Sequence, residues 1–353
     1  IYKRKAADGS SYGGPAYYIQ AVLKKRWLGI LFAGTLIVTY MGGFNMVAAF
    51  NIADSFRAYS FYDPSTTPLI IGAVLAAAFA VCIFGGSKQI SKITGVLVPV
   101  MGIFYILVSL VIIVTHLNLV PQMFADIFTQ AFDFKAIFGG FTGSAIMQGI
   151  KRGLFSNEAG VGSAPNAAAS AGVSHPVKQG LVQMLSVYID TIVICSATAF
   201  MLLCSGIEPS TDLQGMPYVQ AAVANTLGSF GTIFITIALV LFAFTTLIGN
   251  FYYAEMGLGY ICDKTPNKAL LMVFRLAAAL IVCFGATMEF SVAWNTADVL
   301  MGLMAIINLP VILILGGPAV RCMNDYLKQK KEGKNPVFKA KDIDLETKTD
   351  FWN

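Results

Sequence analysis

Eight apolar stretches, near 27–56, 67–85, 93–116, 137–172, 179–205, 231–261, 269–288 and 292–316, each approach or exceed the roughly 20 residues a helix needs to cross a bilayer's hydrocarbon core. Few folds are open to such a chain. In lipid every backbone N–H and C=O must be satisfied within the protein, and continuous runs of this length do so as helices. Of the 353 residues 56% are apolar and 12% charged, which leaves almost nothing for a separate soluble domain. The expected class is an all-α polytopic membrane protein: a transmembrane region over 1–316 with eight spans, then a polar, mixed-charge tail over 317–353 that reads as a solvated cytoplasmic segment. Lys328, Lys330, Lys331 and Lys334 in that tail offer a lesser reading as a lipid contact.

The chain opens Ile1-Tyr2-Lys3-Arg4-Lys5 without a signal segment, so it reads as starting inside a longer protein. Cys82, Cys195, Cys204, Cys262, Cys283 and Cys322 lie singly and show no metal-ligand spacing, so neither a disulfide framework nor a metal site is expected of them, and no cofactor is expected.

The net charge of +5 is explained by orientation rather than by nucleic acid. With the first residues in the cytoplasm, the inner segments hold 20 of the 24 Lys and Arg residues, while the outer loops hold Arg57 and Lys135. This is the asymmetry of the positive-inside rule, and it puts both ends of the chain on the cytoplasmic side of the plasma membrane. Lys151 and Arg152 lie within an apolar stretch.

The fourth stretch is unlike the others. Its first part, to about 150, has small residues four apart at Gly139 and Gly143. Gly153, Gly160, Gly162 and Pro165 then fall within 13 residues, a density that should open the helix near 151–162. Neither flank, 137–150 or 159–171, is long enough to cross alone, so an interrupted helix lining a cavity is expected rather than a loop between two spans. The half-helix resuming near Gly162-Ser163-Ala164-Pro165 would turn N–H groups toward a carboxylate.

The segment Arg152-Gly-Leu-Phe-Ser-Asn-Glu-Ala-Gly-Val-Gly-Ser-Ala-Pro165, with His175-Pro-Val-Lys-Gln-Gly180 and Tyr188-Ile-Asp-Thr191, resembles the alanine-or-glycine:cation symporters. Gly13-Gly-Pro-Ala-Tyr-Tyr-Ile19, Phe242-Ala-Phe-Thr-Thr246 with Tyr252-Tyr-Ala-Glu255, and the run Ala297 to Leu309 are similar too, so the resemblance extends to about 316. It implies a leucine-transporter-like inverted-repeat bundle lacking its first two core helices, the spans here being the third through tenth. It also implies alanine or glycine as substrate and sodium as the co-transported ion. Ala48 stands where many relatives carry a glutamine, so no role is carried over to that position.

On that resemblance Thr245 and Thr246, neighbouring hydroxyls on the eighth core helix, are expected to bind sodium, although threonines in membrane helices also bond back to their own carbonyls. Asn157 first, then Ser156, with Gly160 and Gly162 allowing close backbone approach, are expected to meet the substrate. Gln148 is a further candidate lining residue, or a bridge between helices. Phe244 either walls the pocket or is core. Asp190 and Asp298 lie inside apolar spans, where a carboxylate is costly. For Asp190, coupling, proton relay and a structural pair with Lys151 or Arg152 are open, the pair being favoured; Asp298 stands nearer to water. Glu158 is read as a gate or as holding the loop through the same basic pair, and Trp294 with Asn295 as an interfacial anchor.

Three function classes compete. No Ser/His, Cys/His or P-loop constellation supports an intramembrane enzyme. A channel or receptor would show a re-entrant loop or rings of like charge rather than a helix broken in its middle. A sodium-coupled carrier of a small neutral amino acid fits best, and a same-fold carrier for a larger amino acid or amine is the nearest rival.

Overall fold

The computed structural model describes the chain except residues 7–8, 86, 132–140, 209, 211–212, 264–265, 346, 348 and 353, and the side chains of 87–94, 96–97, 130–131 and 141–146. Lys135, Gly139 and the fourth stretch before Phe141 therefore lie outside the described residues. A two-stranded hairpin, β1 (Arg4–Lys5) and β2 (Ser11–Tyr12), leads into a short helix α1 (Pro15–Leu23). Among the described residues the chain continues through the α-helical segments α2 (Arg26–Ala58), α3 (Thr67–Gly85), α4 (Ser87–Thr115), α5 (Val120–Ala131), α6 (Phe141–Asn157), α7 (Ala164–Ala168), α8 (Pro176–Leu203), α9 (Met216–Leu227), α10 (Ser229–Cys262), α11 (Lys268–Gly285) and α12 (Phe290–Lys331), and a short 3-10 turn follows at Ala340–Ile343. Among the described residues seven helices are long and apolar enough to cross a membrane, and the fourth apolar stretch forms the pair α6 and α7.

The main core lies between α2, α3, α10 and α11, where Ala49, Ile52, Phe79, Leu247, Phe251 and Ala278 are buried together. Outward-facing side chains such as Leu313, Val81 and Leu280 stay largely exposed, as lipid contact requires. Two helices are not regular. Residues Val38–Phe44 of α2 and Ile189–Cys195 of α8 are wound as π-helix, a widening that frees backbone groups and is frequent at functional sites.

The segment after 316 is largely exposed but not unstructured. Helix α12 has 42 residues, about 60 Å at 1.5 Å per residue, so it runs well past a hydrocarbon core of roughly 30 Å before ending at Lys331. The chain then folds back. Phe338, Ile343 and Trp352 are buried against Val177 and Cys322, with Ala340, Leu345 and Phe351 packed around them, because these apolar side chains gain by leaving water. Phe338 N donates to Ser174 O (2.9 Å), Lys178 Nζ to Asn335 Oδ1 (2.6 Å), and Trp352 Nε1 to Ile1 O (2.9 Å), while Arg4 pairs with Asp350 (3.1 Å). His175, buried between the rings of Tyr326 and Phe338, meets Asp325 at 3.2 Å. Burial pushes its pKa below the ordinary histidine range, and Asp325 pulls it partly back.

Trp352 is 6% exposed, and truncating a buried Trp typically costs about 3–5 kcal/mol. Trp352→Ala should release 335–352 locally, so trypsin should cut at Lys339 and Lys341 at least tenfold faster than in the parent protein. Unchanged cleavage would show that the strap is held by its polar contacts alone.

Candidate functional site

Helix α6 ends at Asn157 because the next residues leave right-handed helical space: Glu158, Gly160 and Gly162 have φ of 47°, 75° and 99°. Residues 151–157, expected to be open, are helical; the interruption falls at 158–163, where the left-handed residues cluster, and Gly153 sits inside the helix. The helix that resumes is shorter than the 159–171 flank suggested. α7 has five residues, hardly more than one turn, so its dipole is correspondingly weak. Ser163, at its N-cap, makes no capping bond because its hydroxyl donates to Glu158 Oε2 instead.

Two groups of polar side chains flank the interruption. On one side the last turn of α6 meets the π segment of α8: Ser156 Oγ donates to Asp190 Oδ2, and Thr191 Oγ1 donates to Asn157 Oδ1 at 2.9 Å. Asn157 Nδ2 donates to Gly153 O (3.1 Å). On the other side the interruption meets the π segment of α2. Tyr40 OH donates to Glu158 Oε1 (3.1 Å), and Tyr40 and Ser163 are fully buried. Asn308 of α12, 0% exposed, donates to Gly160 O (2.8 Å) and accepts from Tyr18 OH (2.5 Å), which ties α1 and α12 to the unwound backbone.

Gly160 and Gly162 are required twice over, by positive φ and by space. A Cβ at Gly162 would lie within 2.9 Å of Pro15, Asn308 and Phe32, and one at Gly160 would lie 2.4 Å from Leu309.

An aromatic stack closes the α2 side. Tyr40 stacks on Phe44 (4.9 Å) and Phe44 on Phe155 (4.8 Å), with Trp294 beside Phe155 at 5.1 Å. Arg152 lies between Phe155 and Trp294 and reaches both carboxylate oxygens of Asp298, which is 13% exposed.

Several expectations are corrected here. Arg152 pairs with Asp298 and not with Asp190 or Glu158, because the two rings hold its guanidinium toward α12; Asp190 and Glu158 take hydroxyl donors instead. Asp298 is buried by that pairing rather than water-facing. Trp294 is packed against Phe155 and Phe290. Thr245 and Thr246, left as candidates for the ion, both donate to Phe242 O (2.8 and 2.9 Å), one of the two arrangements open to them from the sequence. Phe244 packs against the main core, and Gln148 is exposed nine residues before the end of α6. The structure thus gathers Ser156, Asn157 and Asp190 at one side of the interruption and Glu158 at the other, with Asp298 beyond it.

Tyr18, Tyr40 and Asn308 were missed from sequence. Asn308 carried a usable signal, an amide in the middle of an apolar run. Tyr40 carried none, since tyrosine is common in such helices and only the π segment turns it inward.

A profile of the Sodium:alanine symporter family matches residues 1–340. The chain is 43% identical over 340 residues to "Amino-acid carrier protein AlsT" of Bacillus subtilis (strain 168), covering 96% of this chain and 71% of that protein. It is 41% identical to "Probable sodium/glutamine symporter GlnT" of the same organism (96% and 69%). To "Sodium/alanine symporter AgcS" of Methanococcus maripaludis it is 39% identical (95% and 74%).

Proposed function

The chain belongs to the sodium:alanine symporter family, a family of membrane transporters and not of enzymes, and on that premise we propose that it carries alanine or glycine into the cell with sodium by alternating access. The observation that supports this most is the interruption at 158–163 between two helical pieces of an apolar stretch, with polar side chains on both sides of it. Unwound backbone at membrane depth survives only where protein or a water-filled cavity covers it.

In this reading the bundle is leucine-transporter-like, its spans are the third through tenth core helices, and both ends of the chain face the cytoplasm, as its basic residues favour. The substrate sits against the last turn of α6, with Asn157 and Ser156 turning from Thr191 and Asp190 to meet it, and Gly160 and Gly162 giving backbone access. Sodium is held through Thr245 and Thr246, whose hydroxyls exchange Phe242 O for the ion. The pair Arg152 and Asp298, with the Phe155, Phe44 and Tyr40 stack, forms a gate on the side of the interruption away from α7. Each ligand drives the other only because it binds one conformation better.

Uptake of labelled alanine by the full-length protein in proteoliposomes tests this. An inward sodium gradient should raise uptake at least tenfold, and Asn157→Ala should lower it about tenfold by raising KM. Thr246→Ala should weaken sodium dependence while leaving the protein monodisperse. Absence of alanine or glycine uptake under any sodium gradient would sink the substrate assignment. The likeness to a protein named as a glutamine symporter favours a second reading, a larger neutral side chain, and competition by glutamine at the same concentration decides between them.

A further inference from the structure

The segment His175-Pro-Val-Lys-Gln-Gly180 opens α8 and fastens it to two other parts of the chain. His175 Nδ1 accepts from Val177 N (3.2 Å), which caps the helix, and its Nε2 meets Asp325 Oδ2 of α12 at 3.2 Å. One residue earlier, Ser174 O accepts from Phe338 N, and one turn later Lys178 Nζ donates to Asn335 Oδ1. The start of α8 is thus held both by α12 and by the strap formed of residues 335–345 and 349–352. Farther along, the same helix carries the π segment whose Asp190 and Thr191 hold Ser156 and Asn157. A constraint on the start of α8 is therefore a constraint on the helix that faces the last turn of α6.

The other anchor of the strap is the hairpin. Trp352 Nε1 donates to Ile1 O, Asp350 pairs with Arg4 and accepts from Lys5 N (3.3 Å), and Lys3 Nζ lies over the rings of Phe351 (4.5 Å) and Trp352 (5.0 Å). Lys3 Nζ also donates to Ala171 O (3.0 Å), and Ser11 Oγ to Ala169 O (2.7 Å), so the hairpin is bonded in turn to the residues just after α7. Between these elements lies a cavity of about 310 Å³. Its lining joins Tyr18, Ala164 and Pro165, beside the interruption, to Gln183 of α8, Lys3 and Trp352. Tyr18 OH donates to Asn308, which holds Gly160 O, so this cavity adjoins the residues that tie down the unwound backbone. Most of the strap's polar contacts are single bonds near the surface, each weak enough to break and re-form, and together they favour the one conformation in which all are made.

We propose that the strap is a lock on the inner end of the bundle: with Trp352 seated it holds α8 to α12 and to the hairpin and closes the cavity beside α7, and it must lift before the amino acid leaves to the cytoplasm. Opening of the strap, and not the affinity of the site, then limits the rate of release. This rests on the transport reading above, in which this end of the bundle faces the cytoplasm.

The test uses the full-length protein in proteoliposomes with equal sodium on both sides, and reads exchange of labelled for unlabelled alanine. Trp352→Ala should raise the exchange rate by about threefold or more, because the closed conformation loses contacts that the open one never had. A Trp352 that only stabilised the fold would leave exchange unchanged or lower it on truncation. In the parent protein in detergent with sodium, saturating alanine should speed trypsin cutting at Lys339 and Lys341 by about threefold or more over sodium alone, since the cycle then samples the lifted strap. If Trp352→Ala is not monodisperse, Asp350→Arg replaces it: the pair with Arg4 becomes a repulsion, and exchange should rise about twofold, the scale of one exposed ion pair. The proposal is overturned if the folded variant exchanges alanine at or below the parent rate, or if alanine leaves cutting at both lysines unchanged. A parent protein that neither imports nor exchanges alanine or glycine overturns the transport reading instead, and this inference with it.

Discussion

Gly162→Ala is expected to abolish transport and to lower the thermal midpoint of the detergent-solubilised protein by several degrees. Two costs add. An alanine in left-handed backbone space is worth about 1–2 kcal/mol of strain, and the φ of 99° at this position is not one that L side chains relax into. The new methyl would also lie within 2.9 Å of Pro15, Asn308 and Phe32, on three separate helices, and overpacking of that kind costs roughly 1–3 kcal/mol. None of the three contacts yields easily: Pro15 opens α1, the Phe32 ring is fully buried, and Asn308 is held by two hydrogen bonds. The sum, about 3 kcal/mol or more, is large against the marginal stability of a folded chain. Thermal stability is read by size-exclusion chromatography after heating, and transport by alanine uptake in proteoliposomes. Retention of both at the parent values would show that 158–163 adjusts freely, and the interruption would then be a flexible linker rather than a built site.

Asn308→Ala should be comparably damaging by a different route. Its amide is the only side chain among the described residues that joins α1 and the interruption through α12, accepting from Tyr18 OH at 2.5 Å and donating to Gly160 O at 2.8 Å. Removing it leaves a half-buried hydroxyl and a half-buried carbonyl without these partners, at roughly 1 kcal/mol each, besides a small cavity where the Asn308 side chain was fully buried. The expected loss is about 3 kcal/mol, with uptake falling more than tenfold. Tyr18→Phe alone should cost about 1 kcal/mol. The double variant Tyr18→Phe/Asn308→Ala should be less destabilised than the two single effects combined, because the orphaned hydroxyl is gone. Strict additivity would mean that the two side chains do not act through one hydrogen bond. Loss of stability with unchanged uptake by the folded fraction would confine Asn308 to a structural role.

The eight apolar stretches were legible because lipid imposes a length and a composition on any segment that crosses it, whatever its neighbours. Gly160, Gly162 and Pro165 were legible for a related reason: their effect on the helix is local and needs no partner. The position of the interruption was not fully readable. Gly153 also weakens a helix, yet it stays within α6, and only the packed chain shows that the backbone turns at Glu158. The tail shows the same limit. Lys328 to Lys334 suggested solvent, while Phe338, Ile343 and Trp352 cluster with Cys322 and with Val177, which lies far away in sequence.

What the sequence by itself determined is the membrane-spanning class, the number and order of apolar stretches, the one stretch that must open, and a family likeness carried by the residues around it. Those follow from backbone chemistry in lipid and from local propensity, both properties of short segments. Only the tertiary structure decided the partners: Arg152 with Asp298, Asp190 with Ser156, Glu158 with Tyr40 and Ser163, and Asn308 across the break. A charged or polar side chain in a bundle takes whichever group the crossing helices bring within about 3 Å, and that depends on helix rotation and on the π segments, which no single stretch of sequence specifies.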